Sequence, residues 1–123
     1  MLLKSFVMAS VLIGSVLLSG CGGAPPAADT GQAVAMKDIQ FAPASLTVAK
    51  GTKVTWTNKD VTVHTVTSDE TGGPLQSGNV AAGGKYSYTF SVAGTFKYHC
   101  TPHASKGSDG NYTGMAATIT VTG

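Results

Sequence analysis

The sequence predicts an all-β domain, a Greek-key β-sandwich of about seven to eight short strands, and three observations lead there. Short runs rich in Val, Thr, Tyr, Phe and Ile recur through residues 34–123, separated by Gly, Pro, Asn and Asp. None of that region repeats its apolar residues at helical spacing. The turn signals are close enough together that only short strands fit between them, as in a two-sheet sandwich with a modest core.

In chain order, the alternating runs place strands at Ala33–Lys37, Ser45–Val48, Lys53–Asn58, Thr62–Ser68, Lys85–Ser91, Thr95–Cys100 and Met115–Val121. Asn58-Lys59-Asp60 and Val92-Ala93-Gly94-Thr95 carry turn chemistry. Asp69 to Gly84, "DETGGPLQSGNVAAGG", is too rich in glycine for a central strand and is expected as a long crossing loop. Alternate side chains of a strand share a face, so Tyr86, Tyr88 and Phe90 point together, as do Phe96, Tyr98 and Cys100. His99 then faces the other way, in a surface or second-layer position. Met115, Ala117, Ile119 and Val121 form one apolar set, with Met115 on the core side. Along Val61-Thr62-Val63-His64-Thr65-Val66 the apolar parity switches just before His64, the mark of a bulge or bend. Met36, Trp56 and Tyr98 read as core.

The N-terminal part reads differently. A short basic start ending at Lys4, an apolar run from Phe6 to Leu18 and small residues before Cys21 define a secretory signal over residues 1–20. "LSGC" at Leu18–Cys21 resembles a bacterial lipobox, which implies that Cys21 becomes the lipidated first residue of an exported protein. Residues 21–33 then form a Pro/Gly-rich tether between the lipidated cysteine and the domain at 34–123. A lipid on Cys21 would hold the domain on the extracytoplasmic side of a bacterial membrane, periplasmic or at the cell surface, without a spanning helix. Eight Lys and Arg residues stand against six Asp and Glu in the whole chain. Removing Lys4 with the signal brings the balance close to neutral, which excludes the basic face that nucleic acid requires.

With Cys21 committed to lipid, Cys100 has no disulfide partner in a compartment that oxidises exposed thiols. It is therefore either deeply buried or held by a metal. Strand parity collects His64, Cys100, His103 and Met115 at one end of the sandwich, the last three around one strand–loop–strand junction. Thiolate and thioether are soft ligands and imidazole is intermediate, a mixture suited to copper in either oxidation state. Zinc would prefer four firm ligands, and the thioether is a poor fourth unless Asp109 swings in. A Cys–His nucleophile would need an oxyanion hole that no motif supplies, so an enzyme is not expected.

Three segments then carry a family resemblance. "VTWTNKDVTVHTVTS" at Val54–Ser68, "GTFKYHCTPH" at Gly94–His103 and "GMAATITV" at Gly114–Val121 resemble the plastocyanin/amicyanin-type cupredoxins, as does "MKDIQFAPASLTVAKG" at Met36–Gly51. The resemblance implies a cupredoxin fold and a type 1 (blue) copper ion cycling between Cu(I) and Cu(II), with His64, Cys100, His103 and Met115 as ligands. It implies a monomeric carrier of single electrons between membrane-associated or periplasmic redox proteins. A donor and an acceptor would dock transiently near His103, the more exposed ligand, on the small-residue surface of Pro102, Ala104 and Leu75. Thr65 and Thr101, each following a ligand, would tie the two ligand segments together. The competing function is copper delivery, storage or sensing without electron transfer, although the chain has no methionine- or histidine-rich tract. One departure stands out: eleven residues, "ASKGSDGNYTG", separate His103 from Met115. They are expected as an extruded loop, long enough to bring Asp109, Asn111 or Tyr112 toward the axial position.

Overall fold

The computed structural model describes residues 31–123. The expected signal segment, Cys21 and most of the tether lie outside them. Eight strands form two four-stranded sheets packed face to face. One sheet contains β1 (Gln32–Lys37), β2 (Gln40–Ala42), β4 (Thr52–Asn58) and β6 (Lys85–Phe90), in the order β2-β1-β4-β6. The other contains β3 (Ser45–Ala49), β5 (Thr67–Ser68), β7 (Gly94–Lys106) and β8 (Tyr112–Thr122), in the order β3-β8-β7-β5. The chain changes sheet at every connection from β2 to β7, and only β1–β2 and β7–β8 are hairpins within a sheet. β1 runs parallel to β4 and β3 parallel to β8; the other pairs are antiparallel.

Period-two alternation builds the core. Val54, Trp56 and Asn58 of β4 point inward, as do Met115, Ala117, Ile119 and Val121 of β8. Trp56 is the central side chain, completely buried and packed against the rings of Tyr86, Phe90 and Tyr98. Its Nε1–H donates to the Tyr98 hydroxyl oxygen at 3.1 Å, a hydrogen bond that joins the two sheets. Burial also pushes the Tyr98 phenol up, so the acceptor stays neutral. Met36 is fully buried beside this cluster.

The strands differ from the expected set in four places. Over Thr62–Ser68 only Thr67–Ser68 is a strand, because the segment before it pairs at a single point, His64 with Val80, while Thr67 also bridges to Gln76. Those pairings also organise Asp69–Gly84, which folds back and buries Leu75 and Val80. β2 is an additional short strand. The "ASKGSDGNYTG" segment is not an extruded loop: β7 continues to Lys106, β8 begins at Tyr112, and Ser105↔Thr113 and Lys106↔Tyr112 pair across a hairpin. Its turn is closed by Gly107 N–H to Asn111 O at 2.8 Å, and the Asp109 carboxylate accepts from the Asn111 amide at 3.0 Å.

Replacing Tyr98 with Phe leaves the Trp56 N–H buried without an acceptor, an expected cost of about 1–3 kcal/mol. Urea unfolding of the metal-free protein measures it; an unmoved midpoint would mean that this bond does not couple the sheets.

Candidate metal centre

Two segments, one after β4 and one within β7, supply three converging donor atoms. The first follows β4. Asn58, buried at the end of that strand, donates through Nδ2 to the carbonyls of Thr62 (2.7 Å) and Val80 (2.9 Å). Its Oδ1 accepts the Asp60 amide at 2.9 Å. The bonds to Thr62 and Asp60 close the turn over residues 59–63, and the third ties it to Val80. His64 then exchanges two backbone hydrogen bonds with Val80 (3.1 and 2.8 Å), which seats its fully buried ring over the core.

The second segment is a bulge. His99 pairs with Ala116 and Ala104 with Gly114, so four residues of β7, Cys100 to His103, stand opposite one residue of β8, Met115. The surplus backbone arches outward and turns both the Cys100 thiol and the His103 ring toward His64. Gly114 permits this. Its φ is +92°, and a Cβ there would lie 2.7 Å from the His103 carbonyl oxygen.

The convergence is tight. His64 Nδ1 lies 3.2 Å from His103 Nδ1 and 3.5 Å from Cys100 Sγ, and the third edge, Cys100 Sγ to His103 Nδ1, is 3.3 Å. A point equidistant from the corners of this triangle falls about 2 Å from each, the length of a metal–imidazole bond. One cysteine sulfur and two imidazoles, converging at one edge of the sandwich, fit copper. The Thr65 N–H points at Cys100 Sγ at 3.3 Å, and the Thr101 N–H donates to Thr65 Oγ1 at 2.9 Å. Thr65 Oγ1 also lies within 2.9 Å of Thr67 Oγ1 and 3.3 Å of Thr101 Oγ1.

Protonation follows from the same contacts. Burial pushes the Cys100 thiol up, against the Thr65 amide, so the metal-free side chain holds its proton and a metal must displace it. The far nitrogen of the His64 ring, Nε2, faces Asp60 Oδ2 at 2.8 Å. With its proton on Nε2 and its lone pair on Nδ1, His64 satisfies Asp60 and offers a ligand atom to the cluster at once.

The remaining candidates fall as follows. Met115 is buried, at the single β8 position facing the bulge. Thr65 is buried between the two segments and Thr101 is exposed. His103 is partly exposed, Pro102 is exposed beside it and Ala104 is half-buried. Leu75 is completely buried and belongs to the core, so it forms no part of a surface around His103. Asp109 is occupied by Asn111 within the hairpin turn. Tyr112 lies flat on the His99 ring, 3.6 Å between centroids at 9°, and not toward the cluster. His99 does face the outer side of the sheet, but Tyr112 covers it and its Nδ1 meets Asp69 Oδ1 at 2.7 Å. Sequence reasoning missed Asn58 and Asp60. The available signal is a carboxylate, Asp60, four residues before a candidate histidine, inside a stretch with turn chemistry.

Comparison with known proteins agrees with this geometry. A model of the copper-binding proteins of the plastocyanin/azurin family matches residues 28–122. Plastocyanin A/B of Petroselinum crispum is 34% identical over 84 residues, 61% of this chain and 87% of that protein. Amicyanin of Paracoccus denitrificans is 35% identical over 83 residues, 62% of this chain and 60% of that protein. A solved structure of a Cu(I) amicyanin variant superposes with a TM-score of 0.59 at 28% identity, covering 78% of this chain and 86% of that one.

The Asp60 carboxylate is held down to about 2 from an ordinary 3.8, first by the Ile39 amide and then by the His64 ring. Its folded value lies below its unfolded one, so its contribution to stability is present above pH 3.8 and lost as the pH falls toward 2. Thermal midpoints of the metal-free protein through that window should fall less steeply in Asp60→Asn than in the parent. Asp109, also held down, leaves a residual slope in both. Equal slopes would count against the Asp60 contribution.

Proposed function

Because the chain belongs to the plastocyanin/azurin family of copper-binding proteins, we propose that it is a type 1 copper electron carrier. In this reading His64 Nδ1, Cys100 Sγ and His103 Nδ1 would hold the copper, and Met115 would be a fourth, weaker ligand. The observation that carries it is the triangle of two ring nitrogens and one sulfur, with edges of 3.2 to 3.5 Å, in which Asp60 holds the His64 ring and the Thr65 amide holds the Cys100 sulfur.

Bound copper supplies a one-electron couple, Cu(I)/Cu(II), whose potential responds to the axial ligand and to hydrogen bonding at the cysteine sulfur. The protein's part is restraint. His64 is fixed by its backbone pair with Val80 and by Asp60, and Cys100 by the Thr65 amide on its sulfur. Side chains held this way do not rearrange when the charge of the centre changes by one, and little reorganisation then opposes the electron. The Thr65 N–H withdraws density from the thiolate, which favours the reduced state. His103, half-exposed at the edge, is the route by which electrons enter and leave, and redox partners dock around Pro102 and Ala104. Cys100 is fully buried, which suits a ligand and not a nucleophile.

For the cellular setting, we read residues 1–20 as an export signal and Cys21 as the lipidated residue, with the following residues as tether. The carrier then works on the extracytoplasmic side of a bacterial membrane, as a monomer passing electrons between proteins that share that surface.

Visible and EPR spectra of the full chain with Cu(II) test the reading. An intense thiolate-to-copper charge-transfer band with narrow copper hyperfine splitting is expected, and weak d–d absorption alone would overturn it. Cys100→Ser should abolish the band. Met115→Leu should keep the colour and, if the thioether is an electron-donating ligand, raise the potential by roughly 60 mV, a tenfold change in preference for Cu(I). No change in spectrum or potential would remove Met115 from the ligand set.

A further inference from the structure

The hairpin turn between β1 and β2 is strained, and what it faces explains the strain. Lys37 pairs with Gln40, so Asp38 and Ile39 are its two central residues, at φ +56° and +59°. Two successive left-handed residues make the type I′ geometry, which sequences normally fill with Asn-Gly or Asp-Gly. A β-branched residue with positive φ is an outlier. Ile39 is 42% exposed, so burial of its side chain returns little. Both amides of the strained pair converge on one carboxylate: Asp38 N–H donates to Asp60 Oδ1 at 2.7 Å and Ile39 N–H to Asp60 Oδ2 at 2.9 Å. The third donor to that carboxylate is His64, whose Nε2 lies 2.8 Å from Oδ2. The Asp60 backbone is itself pinned by Asn58, and its side chain is only 14% exposed.

We propose that Asp60 is a positioning residue for the copper centre: cradled by the Asp38–Ile39 turn, it fixes the proton of His64 on Nε2 and holds the reduction potential down. The inference rests on the reading of His64 and Cys100 as copper ligands. Two consequences follow from the contacts. A carboxylate accepts and does not donate, so a 2.8 Å contact to Nε2 requires the proton of the neutral ring to sit on that nitrogen, and in that form the Nδ1 lone pair faces Cys100 Sγ and His103 Nδ1. The carboxylate also sets a fixed negative charge directly behind one imidazole, and a negative charge favours the more positive of two metal states. The turn amides supply what such a partly enclosed charge needs, a concave set of N–H groups. His103 lacks this arrangement: its Nε2 has no hydrogen-bond partner among the described residues. The two histidines therefore differ in kind, one electrostatically clamped from behind and one open to the surface.

Two measurements on the full chain test this. In the metal-free wild-type protein, ¹⁵N–¹H correlation of the histidine rings should show His64 protonated on Nε2 alone; a proton on Nδ1, or a rapidly exchanging mixture of tautomers, overturns the proposal without recourse to any variant. In the copper-loaded protein, Asp60→Asn keeps a hydrogen-bond acceptor but loses the charge. It should retain the thiolate charge-transfer band while the preference for Cu(I) over Cu(II) rises about tenfold, or about 59 mV. A retained band with an unchanged potential overturns the role of Asp60 and leaves the copper reading standing. Absence of the band in the wild-type protein overturns the copper reading and this inference together.

Discussion

The site depends on a small set of hydrogen bonds that tie together two segments distant in sequence, and Thr65 is at their centre. Its N–H meets the sulfur of Cys100, thirty-five residues away, and its hydroxyl accepts the N–H of Thr101. The tie extends the main-chain ladder between β5 and β7, in which Thr67 pairs with His99 and Ser68 with Tyr98. In a buried setting such bonds are stronger than in water and costly to leave unmade, so a network with every member satisfied specifies one arrangement. Among the described residues, no buried side-chain nitrogen or oxygen lacks a partner. The donor triangle is therefore a property of the folded chain itself, and a metal entering it meets ligands already in position.

The bulge at Cys100–His103 is the complementary device. A regular ladder would carry Cys100 inward and leave the residues after it pointing alternately up and down, never converging on a point. Placing four residues against Met115 alone bends β7 so that a thiol and a ring three positions later share one target. Gly114 makes the bend sterically feasible, and the hairpin beyond it restores regular pairing from Ala104 onward. That hairpin also lays Tyr112 over His99 and buries a polar ring on the outer face of the sheet, with Asp69 as its partner and Lys106 5.6 Å from the Tyr112 ring. The extra length between His103 and Met115 thus lengthens two strands and covers the side chain next to Cys100, while Met115 stays at the bulge.

The two histidines divide the proposed work between them. His64 is completely buried and bonded on both sides, to Val80 through its backbone and to Asp60 through its ring. His103 shows an edge to solvent. A carrier needs both properties, restraint to keep reorganisation small and exposure to let a partner come close, and one side chain does not supply both.

Local pattern in the sequence was enough to read the sandwich, the inward set on β8, the shared face of Tyr98 and Cys100, and the soft-ligand character of the cluster. These follow from alternation and side-chain chemistry, which act between neighbours. The break in parity before His64 was also legible, although its form was not: an isolated bridge to Val80 replaces the first part of the expected strand. What only the tertiary structure decided are the choices between distant partners. Leu75 looked like surface in a glycine-rich loop and is core, because that loop folds back onto the segment around His64. The polar, glycine-containing stretch after His103 looked like a loop and is a hairpin, because strand pairing outweighs weak local propensity. Asp60 looked like a turn residue, and its partners at Asp38 and Ile39 lie more than twenty positions earlier. Hydrogen-bond partners at that separation are set by where the sheets bring the backbone, and no local sequence pattern encodes them.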